Sequence, residues 1–363
     1  MQMNDEISNE HTSRNQEQER LCQLCRDAAK YYHELLKSDA GKEARAYLTQ
    51  RGLDWPTAVK FGLGYAPDDF HALRSAMERL GYTREELVAA DLCAVSRKNK
   101  NNIYDRFRSR IIFPQIDPMG SVIGFAGRAI GKNGGPKYIN PTDTPIFSKR
   151  KFLYAMNLAK KTKRPYLILC EGPMDAIACH QFGFDCAVAS QGTALTEDQV
   201  RLIRQSTDRV ILNYDNDAAG QNAARRAIQM FGQAGVKVNI LKLRDAKDAD
   251  EFLHKFGAVP FEALIQGAEK QADFLFFSLQ SQFDLTKDDQ RVEFAAKAAE
   301  LIATFQSAAE CEVYADRAAK AAGVSRAAML SEIAKAYKKR QDAARRPERI
   351  QDERTGRYHR TCP

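Results

Sequence analysis

The residues best able to do chemistry in this chain are carboxylates in three short clusters: Glu171 and Asp175, Asp215 and Asp217, and Asp248 and Asp250. The first pair closes Leu167-Ile168-Leu169-Cys170-Glu171-Gly172-Pro173-Met174-Asp175, and the second closes Val210-Ile211-Leu212-Asn213-Tyr214-Asp215-Asn216-Asp217. Asp215 and Asp217 stand two apart at a strand end, so in extended backbone both point to one side, and Asp248 and Asp250 repeat the spacing. Asp175 follows Glu171 by one helical turn. A lone Asp-x-Asp is more often a turn or a helix cap, but three clusters in one stretch argue for a common site. Carboxylates that converge repel unless cations lie between them, and hard oxygen donors suit Mg²⁺, with Mn²⁺ able to substitute. In a two-metal arrangement one ion lowers the pKa of an attacking hydroxyl while the other steadies a leaving pyrophosphate. Such chemistry needs no Ser-His-Asp nucleophile, and the six histidines are scattered.

These clusters need a parallel sheet to position them, since ligands of such sheets bind beyond the carboxyl ends of the strands. The apolar runs supply one. Strands are expected over 166–170, 187–189, 209–214 and 237–243, with helices over 173–182, 197–205 and 217–232 between them, a repeated β–α alternation.

Upstream, the chain is basic. In Arg106-Phe107-Arg108-Ser109-Arg110 the arginines recur at every second residue, which in a strand over 105–114 places them on one face about 7 Å apart. Such a rail suits a phosphate backbone, although a solvated strand face is the bland reading. Arg128, Lys137 and Lys149 add cations beside two further strands at 122–128 and 137–140. Gly131-Lys132-Asn133 lacks the Ser/Thr and the leading glycine of a P-loop, so no ATPase motor is indicated. Short helices are expected over 19–36, 42–51, 56–61, 71–80 and 84–90, and again over 272–283, 288–305, 308–321 and 325–337, where the aromatic residues read as core.

The chain's 363 residues exceed what one hydrophobic core usually serves. The boundaries read as a disordered tail at 1–18, a basic N-terminal subdomain at 19–160, the acidic α/β domain at 161–258, a helical subdomain at 259–340 and a charged disordered tail at 341–363. The fold class is therefore mixed α/β, a Rossmann-like parallel sheet flanked by a basic α+β part and a helical part. A formal net charge of +8 favours a polyanionic partner. No apolar run is long enough to span a bilayer, and the polar start is no signal peptide, so a cytoplasmic, nucleoid-associated protein without membrane contact is expected. Eight scattered cysteines read as reduced. Cys22-Gln23-Leu24-Cys25 has the spacing of half a zinc site with His33 nearby, but no second pair follows and the segment reads as a helix, so no zinc is expected.

At this point the residues resemble a known family. Glu171-Gly172-x-x-Asp175, Asp215-x-Asp217-x-Ala219-Gly220 and Asp248-x-Asp250 are similar to the signature of the Toprim domain. The preceding Tyr104-Asp105-Arg106-Phe107-Arg108-x-Arg110, Ile123-Gly124-Phe125-x-Gly127-Arg128 and Pro136-Lys137-Tyr138-x-Asn140 resemble the RNA polymerase core of DnaG-type bacterial DNA primases. The resemblance implies template-directed synthesis of short RNA primers on single-stranded DNA from ribonucleoside triphosphates with Mg²⁺. It assigns catalysis to Glu171, Asp215 and Asp217, and the metal shell to those three with Asp175, Asp248 and Asp250. Template, primer or nucleotide binding falls to Arg106, Arg108, Arg110, Arg128, Lys137 and Lys149, with Tyr138 and Asn140 beside the site but without an assigned step. Asn216 stands where the family often has Gly, and Ala249 where it usually has Pro. The family's N-terminal zinc-binding and C-terminal helicase-binding domains are not visible here, so a trans-acting zinc-binding protein or a replicative helicase is expected as a partner. The competing readings are another Toprim enzyme, of nuclease or topoisomerase type, and a non-catalytic Toprim protein that binds DNA or mediates recombination. A topoisomerase would need a large gate domain for which the chain has no room.

Overall fold

Leu21, Leu24, Cys25, Ala28, Tyr32 and Leu36 recur at helical spacing, and all six are buried. They form the inner face of α1 (Gln2–Lys37) in the computed structural model, which describes residues 2–100, 102–131, 135–192, 194–214, 218–243, 245–305 and 307–344. The segment 1–18, expected to lack order, is helical from Gln2 onward, because a packed stretch nucleates a helix that then propagates with one hydrogen bond per residue. Cys25 is wholly inside the core, where burial pushes its thiol up to about 12. The charged tail from 345 onward lies outside the described residues.

Two short helices follow, α2 (Lys42–Gln50) and α3 (Trp55–Lys60), the second capped by Asp54, whose side chain accepts from the Thr57 amide at 2.8 Å. Then come β1 (Gly64–Ala66), α4 (Ala72–Arg79), α5 (Arg84–Ala89) and the hairpin of β2 (Cys93–Val95) with β3 (Ile103–Asp105). With β4 (Arg110–Ile116), β5 (Val122–Ala129) and β6 (Tyr138–Ile139), β1 builds a four-stranded antiparallel sheet in the order β1-β4-β5-β6. Helix α1 lies on this sheet. Tyr32 meets Phe125 edge-on at 5.7 Å, and a Cβ added at Gly64 would come within 2.5 Å of Tyr32 Cβ, so the crossing requires glycine there.

The arginine alternation does not lie on one strand. β3 ends at Asp105 and β4 begins at Arg110, with Ser109 at φ 48° turning the chain between them. Buried tertiary contacts override the local pattern: Phe107 is in the core, and the Asp105 carboxylate caps α4 by accepting from the Leu73 and Arg74 amides at 2.7 and 3.0 Å. Arg106 instead pairs with Asp91 at 2.8 Å and donates to the Asn140 carbonyl at 3.1 Å. The Arg108 guanidinium sits 3.6 Å from the Phe70 ring centroid. Arg110 is buried and donates to the Gly127 and Pro136 carbonyls at 3.3 and 3.0 Å.

After α6 (Met156–Ala159) the alternation read from sequence is realised as β7 (Leu167–Cys170), α7 (Pro173–Gln181), β8 (Ala187–Ala189), α8 (Glu197–Arg204), β9 (Arg209–Asn213), α9 (Ala218–Gln233) and β10 (Lys237–Ile240). The chain continues through α10 (Ala249–Phe256), α11 (Ala258–Gln266) and β11 (Glu269–Lys270), giving a sheet ordered β11-β10-β9-β7-β8, with β10, β9, β7 and β8 parallel. Every residue of β7 and β8 is buried, as expected of parallel strands covered on both faces. Cys170, Cys179 and Cys186 are among the buried groups, and Asn213 Nδ2 lies 3.8 Å from Cys170 Sγ.

The chain divides into two units at 269/270, rather than at 258/259. The reason is α11: its Phe261 is fully buried against Phe184 at 4.9 Å and Phe252 at 5.8 Å, which ties it to the parallel-sheet part. The second unit contains α12 (Gln271–Gln280), α13 (Asp288–Ile302), α14 (Ala308–Ala322) and α15 (Arg326–Ala344). Its core is aromatic as expected, with Phe276 against Phe294 at 6.0 Å and Tyr314 at 5.6 Å, whereas Phe277 is about half exposed. Among the described residues no helix is long and apolar enough to cross a membrane.

His180, at the end of α7, is buried edge-on to Phe61 at 5.2 Å and donates Nε2–H to the Ala187 carbonyl at 3.0 Å, while Nδ1 has no hydrogen-bond partner among the described residues. Burial lowers its imidazole to about 4. An unfolded histidine titrates near 6.5, so the unfolded chain takes up the proton first as pH falls. The contribution is thus fully present above pH ~6.5 and lost toward ~4, at up to about 1.4 kcal/mol per pH unit. Denaturant curves followed at Trp55, the chain's single tryptophan, should shift to lower midpoints across that window. The shift should be smaller in His180→Gln; identical pH profiles in the two proteins would refute the assignment.

Candidate metal and phosphate site

Glu171 and Asp175 flank the step from β7 into α7. The strand ends at Cys170, Gly172 is extended, and Pro173 takes the first helical position, where its missing N–H costs nothing. Asp175 Oδ2 accepts from the Gly172 amide at 3.2 Å, closing the open end of the helix. Its Oδ1 accepts from the Asp250 amide at 3.3 Å, in the first turn of α10. Asp248 caps that helix, accepting from the Glu251 amide at 2.8 Å. Two helix N-termini are thus set side by side, and the Asp175 carboxylate comes together with those of Asp248 and Asp250. The Glu171 carbonyl accepts from the Gln191 amide at 3.0 Å, binding the end of β7 to the loop after β8. Asp215 and Asp217 lie outside the described residues; β9, which precedes them, runs parallel between β7 and β10.

Burial, and then the charge of Asp248, push the Asp175 carboxyl up to about 7, against the pull of the two amides it accepts from. Burial also lifts Asp250 above the ordinary carboxylate range, opposed by Arg51, His254 and Arg128. Asp250 is 3% exposed; Oδ2 accepts a charge-assisted hydrogen bond from Arg51 Nη2. His254 Nε2 stands 3.3 Å from Oδ1, and among the described residues Oδ1 accepts no hydrogen bond. An elevated, crowded Asp175 and a buried Asp250 oxygen that accepts no hydrogen bond among the described residues both fit a divalent cation drawn from hard, oxygen-binding ions. Among the described residues no three Asp, Glu, His or Cys side chains form a cage by themselves.

Positive groups face these carboxylates from the antiparallel sheet. Register sets Arg128 directly opposite Tyr138, on one face of β5 and β6. Arg128 Nη1 donates to the Tyr138 hydroxyl and Nε to the Tyr47 hydroxyl, both at 2.6 Å. Charge on Asp175 reaches Tyr138, and Arg128 reaches Asp250. Lys137 is exposed, and Asn140 Nδ2 is 4.0 Å from where a Cβ on Gly192 would stand. Lys149 is half-buried, its amide donating to Asp143 Oδ1 at 2.7 Å. The structure therefore gathers Asp175, Asp248, Asp250, Arg128 and Tyr138, and sets Arg106, Arg108 and Arg110 apart on separate partners. Sequence reasoning missed Tyr47, Arg51 and His254. The only signal was the four-residue step from Tyr47 to Arg51, which puts both on one side of a helix.

Three protein-family descriptions match consecutive parts of the chain: "DNA primase catalytic core, N-terminal domain" over 31–160, "Toprim-like" over 168–253, and "DnaB-helicase binding domain of primase" over 272–327. The third corrects the expectation that no helicase-binding module is present; a bundle without chemical motifs gave the sequence nothing to announce it. The DNA primase of Clostridium acetobutylicum is 36% identical over 331 residues, which is 91% of this chain and 54% of that protein. The DNA primase of Escherichia coli K12 is 36% identical over 290 residues, 78% of this chain and 49% of that protein. The chain thus spans about half the length of the curated relatives it matches. The E. coli primase catalytic core superposes with a TM-score of 0.73 at 33% identity, covering 84% of this chain and 98% of that one. A DnaG primase catalytic domain bound to single-stranded DNA superposes with a TM-score of 0.75 at 32% identity, covering 85% and 98%. With the basic sheet, the parallel sheet and the helical unit matched in the same order, the chain belongs to the DnaG family of bacterial DNA primases.

Proposed function

We propose that the chain is a primase core that joins ribonucleotides into short RNA primers on a single-stranded DNA template, using divalent metal, preferably Mg²⁺. The observation that carries this reading is the meeting of Asp175 with the α10 carboxylates opposite Arg128. A negative site for cations and a positive site for phosphates then share one cleft. Bound divalent metal would supply charge neutralisation for the triphosphate and acidify the attacking hydroxyl. Asp175, Asp248 and Asp250, with Glu171, Asp215 and Asp217, would hold it. Arg128 is buried at 7% exposure and its guanidinium is oriented by two tyrosine hydroxyls, which prepares it to bind a phosphate without first reorganising. Lys137 and Lys149 would add charge along the template or nucleotide path. Arg106, Arg108 and Arg110 act in this reading by bracing the sheet rather than by lining one face. The helical unit is a docking module for a replicative helicase, and a zinc-binding protein acting in trans remains a further partner in this proposal.

Mixing the protein with single-stranded DNA, labelled ribonucleotides and Mg²⁺ or Mn²⁺ should yield oligoribonucleotides, and chelation should abolish them. Asp175→Asn should lower synthesis at least tenfold, by analogy with lost metal-supporting groups, and the pair Asp215→Ala, Asp217→Ala should remove it. DNA cleavage without synthesis would sink the proposal.

DNA binding offers a second test. Lys137→Ala should weaken affinity and reduce the slope of log K against log salt by about one. Arg110→Ala should instead lower thermal stability, because its buried guanidinium satisfies two carbonyls. Unchanged affinity and an unchanged salt slope for Lys137→Ala would move the phosphate path elsewhere.

A further inference from the structure

Helix α2 carries none of the residues that marked the site in sequence, yet two of its side chains end there. Tyr47 and Arg51 are four residues apart, Arg51 being the helix's C-terminal cap. The Tyr47 hydroxyl accepts from Arg128 Nε at 2.6 Å, and Arg51 Nη2 donates to Asp250 Oδ2. One helix face therefore touches the cationic and the acidic half of the site at once. The turn that follows is fastened independently of both contacts. The Gly52 carbonyl accepts from Gln181 Nε2 at 2.9 Å, and Gln181 Oε1 accepts from the Asp54 amide at 2.9 Å. Gln181 ends α7, the helix whose first turn holds Asp175. Gly52 has φ +76°, and a Cβ there would come within 2.5 Å of the His254 ring, which flanks Asp250. The turn is thus pressed against α10 as closely as backbone allows.

We infer that α2 and its C-terminal turn form the positioning element of the site: Tyr47 and Arg51 are positioning residues that fix Arg128 and Asp250 relative to Asp175. The inference rests on the proposed primase reading for its kinetic consequence but not for its geometric one. Arg51 holds Asp250 by Oδ2, while Oδ1 faces His254 Nε2 at 3.3 Å and accepts no hydrogen bond among the described residues, so the carboxylate is oriented with one oxygen left able to accept a cation. Tyr47 accepts from the guanidinium edge that does not face Tyr138, so loss of one hydroxyl frees the group to rotate.

The test uses the full chain and Tyr47→Phe, Arg51→Lys, Arg51→Gln, Asp250→Asn and the double variant Arg51→Gln, Asp250→Asn. Melting temperature reports folding, water-proton relaxation with Mn²⁺ reports metal affinity, and primer synthesis on single-stranded DNA gives kcat and KM separately. Arg51→Gln should weaken Mn²⁺ binding about tenfold or more, the size expected when a group that orients a metal-site side chain is lost. Arg51→Lys should recover part of that affinity, and the loss should disappear in the Asp250→Asn background. Tyr47→Phe should keep wild-type Mn²⁺ affinity and lower kcat at unchanged KM for DNA. Wild-type Mn²⁺ affinity in folded Arg51→Gln, or additive effects in the double variant, would overturn the inference. So would losses that only follow a falling melting temperature. If the wild-type chain binds Mn²⁺ but makes no primer, the primase reading fails, while the Mn²⁺ results for Arg51 still decide the positioning role.

Discussion

The structure of the site depends on one hydrogen bond between helix termini, from the Asp250 amide to Asp175 Oδ1. It sets the beginnings of α7 and α10 against each other, and with them two acidic clusters separated by more than seventy residues. Burial of a carboxylate at such a junction, and then the like charge of Asp248, are unfavourable in low dielectric, and the rise of Asp175 to about 7 expresses both costs. The positive ends of two helices offset part of it. What remains is an arrangement stable as a protein fold yet left with capacity for added positive charge.

The same constraint explains why the antiparallel sheet has to be present. A cation site at strand ends could sit on an isolated parallel sheet, but Arg128 and Tyr138 reach it only because β5 and β6 pair in one register and the Tyr47 hydroxyl of α2 holds Arg128. The buried Asp105 cap and the packed Phe107 then matter at a distance. They hold the chain reversal from which β4 and β5 run, and so determine which face Arg128 occupies.

The parallel sheet was legible because its signal is coarse. Strands buried on both faces are continuous apolar runs, and Leu167 to Cys170 can hardly be read otherwise. Their acidic ends were equally plain. The arginine alternation misled for the opposite reason: period two is a strand signal only if the backbone stays extended, and Ser109 turns it. The three-residue β1 is too short to carry a period. Arg51 and Tyr47 were missed because their partners are distant in sequence, and beyond their four-residue step nothing local distinguishes them from solvated residues of a short helix. The boundary at 269 was missed because Phe261 looks the same whether it packs forward or backward along the chain.

Cysteine placement has a practical outcome. Cys170, Cys179 and Cys186 are buried in and under the parallel sheet, whereas Cys22 and Cys311 are partly accessible. Among the described residues, thiol reagents would mark those two first. The inner three would react only when the sheet itself opens, since a thiol must reach solvent as thiolate before it is alkylated. The protein therefore carries its own clock for local unfolding at the strand that supports Glu171, readable by mass spectrometry without altering a single residue.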